Sequence, residues 1–306
     1  MTDITLENTL IAAGISVYGA NCMRLQYKPL RAEILRFPDS YETFSKEPLL
    51  YGMPPLFPPN RIYGGEFQYR GMEYRLPINE PNTGCHLHGD LYMQPFEIAN
   101  VQADRVILRH AYREAEYIGF PHAFTFETEY ILKENGIRQN VRIKNDSPRT
   151  MPCMLAFHTT FRTPFSYSQG ADVISVNVPV KREFVRDQNF LPTGQTKTGT
   201  AVMCLLNGKG VIPEKQYLSA FYSSAGNIAV LFDKQIGLRV EYRAVSEQYK
   251  YWMLWNGGRN DLFCIEPQTC MIDAFHHQED GRIPGVFGIP PGKTAELCTE
   301  LSCFAL

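Results

Sequence analysis

Between Ile137 and Lys144 the apolar side chains of Ile137, Val141 and Ile143 fall on one face of an extended chain, and Arg138, Asn140, Arg142 and Lys144 fall on the other. That period of two predicts a strand with one solvated face, because successive side chains of a strand point to opposite sides. Phe124 to Leu132 alternates similarly, and Glu134-Asn135-Gly136 carries the Asn-Gly pair that favours a two-residue turn through positive φ. Residues 124–144 are therefore expected to form a β-hairpin. The same grammar returns at Ile228 to Phe232, with a turn around Asp233 to Gly237 and a partner strand Leu238 to Tyr242, and again from Thr294 to Phe304 after Pro290-Pro291-Gly292. No window of about 15 residues carries a helical stripe, and 23 Gly with 21 Pro punctuate the chain as many turns require. The pattern predicts an all-β sandwich. With no linker, low-complexity segment or internal repeat, residues 1–306 are expected to form a single domain.

The stretch Pro54-Pro55-Leu56-Phe57-Pro58-Pro59-Asn60 cannot be a central strand, because each proline removes a ladder donor. It is expected to be an ordered loop delivering Asn60 and Arg61.

Composition narrows the partners. A net charge of −2, with acids and bases mixed along the chain, leaves no basic stripe for nucleic acid. The expected ligand is small and neutral or weakly charged. Apolar runs such as Ala201 to Leu206 and Tyr251 to Trp255 fall far short of the roughly 20 residues that cross a bilayer, so no membrane anchor is expected. Met1 to Asn21 has early acids and no basic segment followed by an apolar one, which argues against a signal peptide. The 8 cysteines are scattered without a C-x-x-C pair, as reduced core thiols in a cytoplasmic protein would be. A monomer or homodimer is expected.

Candidate chemistry starts at Gly84-Cys85-His86-Leu87-His88-Gly89-Asp90. A strand would point both imidazoles to one side, and H-x-H can offer two nitrogens to a metal, but a third ligand is wanted. The other adjacent pair, His276-His277, sits in a polar loop, so no metal is expected. His158 interrupts an apolar strand, Met154 to Phe161, and is either a satisfied core histidine or a catalytic ring. Glu266, in Phe263-Cys264-Ile265-Glu266-Pro267-Gln268-Thr269, is costly to bury unpaired, and Pro267 biases it toward extended geometry; it either points into water or is aimed into a cleft. Arg61 offers a planar donor fork, while Asn60 and Gln268 carry amides that could bind hydroxyls. Trp252 and Trp255 are either core or a stacking face for a sugar ring.

Taken in order, Asn60-Arg61-Ile62, Leu87-His88-Gly89, the strand carrying His158 and Ile265-Glu266-Pro267 resemble the aldose 1-epimerase (galactose mutarotase) family over nearly the whole chain, closest to its bacterial mutarotase-like branch. Tyr69 to Leu76 resembles that family's short hairpin after the arginine, and Pro290-Pro291-Gly292 its final turn. The resemblance implies a galactose mutarotase-like β-supersandwich of large antiparallel sheets and an isomerase, without cofactor, that interconverts the α and β anomers of a free hexose. It further implies Glu266 as general base on the anomeric hydroxyl, His158 as the acid that protonates the ring oxygen, and His88, Arg61, Asn60 and Gln268 as substrate-binding groups. Opening a hemiacetal needs one proton removed from O1 and one delivered to O5, which a carboxylate and an imidazole supply. The glycines flanking the histidines fit close approach of backbone to ligand. One departure stands out: where the family has an aspartate before a late strand, this chain reads Ile212-Pro213-Glu214-Lys215-Gln216-Tyr217, so Glu214 or Gln216 would have to substitute. The alternatives are a non-catalytic carbohydrate-binding protein of the same fold and an epimerase of a sugar phosphate.

Overall fold

The computed structural model describes residues 2–166, 173–208, 210–211, 217–278 and 280–306. Glu214 and Gln216 lie outside the described residues.

Two large antiparallel sheets carry the chain. One has nine strands in the order Glu97–Val101, Arg105–Tyr112, Phe124–Lys133, Gly136–Asn145, Thr294–Ala305, Leu238–Ala244, Ile228–Asp233, Ile174–Asn177 and Gly210–Val211. The other runs Pro192–Lys197, Val180–Arg186, Ser219–Ser224, Tyr251–Trp255, Leu262–Gln268, Ala156–Phe157 and Pro55–Leu56, with Thr160–Arg162 also paired to Leu262–Gln268. A four-stranded N-terminal sheet, Ile4–Glu7 to Ala32–Glu33, and three short ribbons complete the architecture.

The strands expected from alternation are present. Phe124 pairs with Asn145 and Lys133 with Gly136. The turn is not the one expected: Glu134 and Asn135 form it, and none of residues 134–136 has positive φ. Gly136 instead opens the second strand, where a Cβ would lie 1.9 Å from the carbonyl oxygen of Leu301 on the neighbouring strand. The C-terminal strand Thr294–Ala305 sits between Gly136–Asn145 and Leu238–Ala244, in the middle of its sheet. The proline-rich stretch contributes a two-residue strand, Pro55–Leu56, at the sheet edge, where a missing N–H donor costs least. Two α-helices, Tyr41–Lys46 and Ala201–Asn207, are too short to leave a stripe in the sequence. Each is capped by a hydroxyl, Ser40 accepting from the Thr43 N–H and Thr200 from the Met203 N–H. None of the described helices is long and apolar enough to cross a membrane. All eight cysteines are free thiols.

The two sheets meet at Tyr242, whose hydroxyl lies 2.9 Å from that of Thr159 and whose ring packs against Phe161 and Trp252. Every residue of Leu262–Gln268 is buried, so the pleat separates two interiors rather than a core and a solvent face. Phe263 and Ile265 join the main core with Tyr242 and Trp252, whereas Leu262 and Cys264 join a smaller cluster of Met23, Phe44, Leu50 and Tyr51. Glu266 shares the face of Cys264, which is how a carboxylate in an apolar strand comes to look into a cavity.

Candidate functional site

A cavity of about 350 Å³ opens on that second face, with His158, Glu266, Trp255 and Met253 in its wall beside Asn60, Arg61 and His88. Register brings its two ionisable centres together. Ala156 pairs with Gln268 and Thr160 with Cys264, so His158, between them, stands opposite Glu266. His158 Nε2 lies 3.6 Å from Glu266 Oε1, close contact but beyond a hydrogen bond. Thr160 Oγ1 stands 3.5 Å from His158 Nδ1, and the His158 amide is anchored to the carbonyl of Pro54 at 3.0 Å. Glu266 Oε2 is buried without a partner.

Burial moves the pair in opposite directions, because a low-dielectric interior disfavours charge on either group. It pushes the Glu266 carboxyl up to about 8, against the pull of the Gln268 amide and then of the Arg186 and Arg61 charges. The Gln268 amide acts without closing a hydrogen bond, since both its polar atoms are unpartnered. Burial drives His158 down to about 4. Between these values the two side chains share a single proton, held on the carboxyl.

The ribbon formed by Arg61–Tyr63 and Cys85–Leu87 brings the remaining groups, Arg61 opposite Leu87 and Ile62 opposite His86. His88 leaves the strand at φ 64°, and Asn60 has φ 56°. The two positions grip each other: the His88 N–H donates to the Asn60 carbonyl at 3.0 Å, and the Asn60 N–H donates to His88 Nδ1 at 3.2 Å. That contact fixes the tautomer, leaving Nε2–H as the donor of His88. Burial, with His158 and Arg61 nearby, holds this ring well below the usual imidazole range, so it is a neutral donor. Arg61 makes a two-pronged ion pair with Glu80, Nε and Nη2 each 2.7 Å from a carboxylate oxygen.

The expectation that His86 and His88 share a face does not hold. The positive φ at residue 88 ends the alternation, and the buried His86 donates from Nδ1 to the Pro77 carbonyl at 2.7 Å, outside the cavity wall. Nor does Gly89 admit ligand. Its φ is 67°, and a Cβ there would meet the Phe57 carbonyl oxygen at 2.2 Å and the Tyr117 hydroxyl at 2.5 Å, so the close approach is to the protein's own backbone. Gln268 is fully buried and stands outside the wall. Trp255 lines the cavity, while Trp252 is core, its indole N–H bonded to Ser224 Oγ and the Gly226 carbonyl.

Sequence reasoning missed Arg186, Phe190 and Glu80. Arg186 ends the strand Val180–Arg186 and donates from Nη2 to the Ser219 carbonyl at 2.5 Å and to Ser219 Oγ at 3.0 Å. The Phe190 ring lies 4.7 Å from the Arg61 guanidinium and 5.7 Å from that of Arg186. An arginine and a phenylalanine four positions apart and a distant glutamate carry no signal in the sequence that would join them to Arg61. Among the described residues one cluster could ligate a metal: His158, Cys264 and Glu266, with donor atoms within 4.8 Å of one another. It is not the His86 and His88 pair.

The architecture is the all-β fold of galactose mutarotase-like proteins. A galactose mutarotase-like protein from Clostridium acetobutylicum matches it with a TM-score of 0.90 at 26% identity, over 99% of this chain and 95% of that one. A galactose 1-epimerase from Lactobacillus acidophilus NCFM matches with a TM-score of 0.76 at 17% identity, over 98% and 93%. The family model for aldose 1-epimerase matches residues 2–284, and the chain belongs to that family. The uncharacterized Escherichia coli protein YihR is 26% identical over 136 residues, 44% of this chain and 42% of that protein, so the chain spans less than half of that relative's length.

Proposed function

We propose that the protein is an aldose 1-epimerase that interconverts the α and β anomers of a free aldopyranose through Glu266 and His158. The observation that carries this reading is the 3.6 Å approach of an imidazole and a carboxyl in one cavity wall, with their proton affinities displaced in opposite senses. Ring opening moves the O1 proton to Glu266 Oε and a proton from His158 Nε2 to the ring oxygen as the C1–O5 bond breaks. Rotation about C1–C2 in the open chain exposes the other carbonyl face, and the two transfers reverse to close the ring.

The electrostatics favour the middle of that sequence. A cyclic sugar meets the productive pair as carboxylate and imidazolium; the open chain meets it as carboxylic acid and neutral imidazole. Burial favours the second form, because it leaves neither group charged in a low-dielectric wall. A dry wall thus supports the open-chain state, which is the high-energy species along the path. Neutral His88 supplies Nε2–H toward a sugar oxygen, Arg61 adds a donor fork fixed by Glu80, and Trp255 offers an aromatic face.

Polarimetry of freshly dissolved α-glucose and α-galactose tests the proposal. Acceleration above the buffer rate is expected for at least one aldose; no acceleration for any aldose, or full activity in Glu266→Gln, overturns it.

A further inference from the structure

Among the described residues Arg186 makes no ion pair. Its Nη1 is buried with no hydrogen-bond partner, its Nη2 contacts only the neutral carbonyl and hydroxyl of Ser219, and no carboxylate among the described residues comes within ion-pairing distance. Taking a guanidinium out of water without an anion is costly, and evolution normally supplies the partner from the protein. Burial and then the neighbouring Arg61 charge work against the Arg186 guanidinium, and the more distant Tyr217 and Glu183 offset them only in part. Glu80 neutralises Arg61 alone.

Position says what the missing anion belongs to. Arg186 lies on the third strand from Glu266, counting through Tyr251–Trp255 and Ser219–Ser224 to Val180–Arg186. Three strand spacings of about 4.8 Å separate the backbones by roughly 14 Å. The Arg186 side chain shortens that gap by leaning onto Ser219, a cavity-wall residue one strand nearer Glu266. The space that remains suits one pyranose ring with its C1 end at His158 and Glu266 and its exocyclic carbon toward Arg186. Phe190, itself in the wall, sits against both guanidiniums from a turn in which Asp187 Oδ1 accepts the Asn189 and Leu191 N–H groups. Its φ of 61° is a conformation an aromatic residue adopts only when held there.

We infer that the natural substrate is an aldopyranose bearing an oxyanion, a carboxylate, sulfonate or phosphate, on its exocyclic carbon, and that Arg186 with Arg61 receives that group beside Phe190. The inference rests on the aldose 1-epimerase reading and narrows the expectation of a small, neutral or weakly charged ligand drawn from net charge. Whole-chain charge averages over the surface; a guanidinium held against the wall residue Ser219 does not.

The test compares anomer exchange, by NMR magnetisation transfer, for glucose, glucuronate, 6-deoxy-6-sulfoglucose and glucose 6-phosphate. At least one oxyanion sugar should have a kcat/KM exceeding that of glucose by about 30-fold or more, with a KM that rises with ionic strength while that of glucose does not. The three arms identify which oxyanion is meant. In Arg186→Gln the ratio of oxyanion to neutral kcat/KM should fall at least about tenfold, and Arg186→Lys should recover part of it. Glucose handled as well as all three oxyanion sugars, or a preference unaltered in Arg186→Gln, overturns the inference and leaves the epimerase reading standing. Exchange accelerated for no sugar removes both. The wild-type comparison and its salt dependence decide the matter even where a variant does not fold.

Discussion

Raising the pH from about 6 to about 9 should strip the shared proton from Glu266 and His158 and suppress turnover. Mutarotation by this pair needs one proton on two sites, so the active form is the singly protonated pair whichever side chain holds it. With His158 near 4 and Glu266 near 8, that form dominates from about 5 to about 7. One pH unit above the upper value, about a tenth of it remains, and each further unit removes another factor of ten. The lower limb, where both groups are protonated, falls below pH 4 or so. The assay is kcat/KM for anomer exchange, which reports the free enzyme's groups, measured by NMR against the buffer rate at each pH. With His158 near 4, a carboxyl titrating at its ordinary 4.5 would instead leave the pair without its proton from about pH 5.5 upward, and activity would be mostly lost by neutral pH. A profile that falls away from about pH 5, or one with no alkaline limb up to about pH 9, would therefore refute the claim that burial holds the proton on Glu266.

Other outcomes follow from the same geometry. Arg186 and Arg61 pull the Glu266 carboxyl down, so Arg186→Gln should move the alkaline limb to higher pH in the same assay; a limb that moves down contradicts the electrostatic assignment. Glu266 has a raised folded pKa, so the folded state keeps a proton that the unfolded chain releases, and stability falls as pH rises from 4.5 through about 8. Glu266→Gln should remove that loss, leaving the variant more stable than wild type at about pH 9 by up to about 5 kcal/mol in urea titrations and little different near pH 5. His158→Asn and Glu266→Gln should each lower kcat/KM by about 10²- to 10⁴-fold, and the double variant should be scarcely worse than the poorer single one, because the pair acts as a unit. Gly89→Ala places a Cβ 2.2 Å from the Phe57 carbonyl oxygen at a φ of 67°, and should cost at least about 2 kcal/mol of stability by denaturant unfolding.

Alternation along the chain was enough to locate the strands Phe124–Lys133, Gly136–Asn145, Ile228–Asp233 and Leu238–Ala244, because the period of a strand is a local property of residues two apart. Local pattern singled out His158 and Glu266 only as ionisable groups set in apolar strands and left their roles open; the resemblance to the aldose 1-epimerase family, not the pattern, assigned them to one site. What the sequence could not supply was the pairing of residues far apart in the chain. Leu262–Gln268 is buried on both faces, so its pattern does not say which side chains enter the sandwich core and which enter the cavity. Trp252 and Trp255 look interchangeable in the sequence, yet one packs on Tyr242 and the other lines the cavity. A single positive φ at His88 separates it from His86 and assigns the two rings different work. Arg186 was invisible because its place beside Ser219 and Phe190 follows from strand order, not from any local pattern. The chain by itself determined which segments are strands and which side chains would be expensive to bury; tertiary structure alone decided which of those expensive groups meet, since strand register is set by the burial of whole faces and not by any pair of residues.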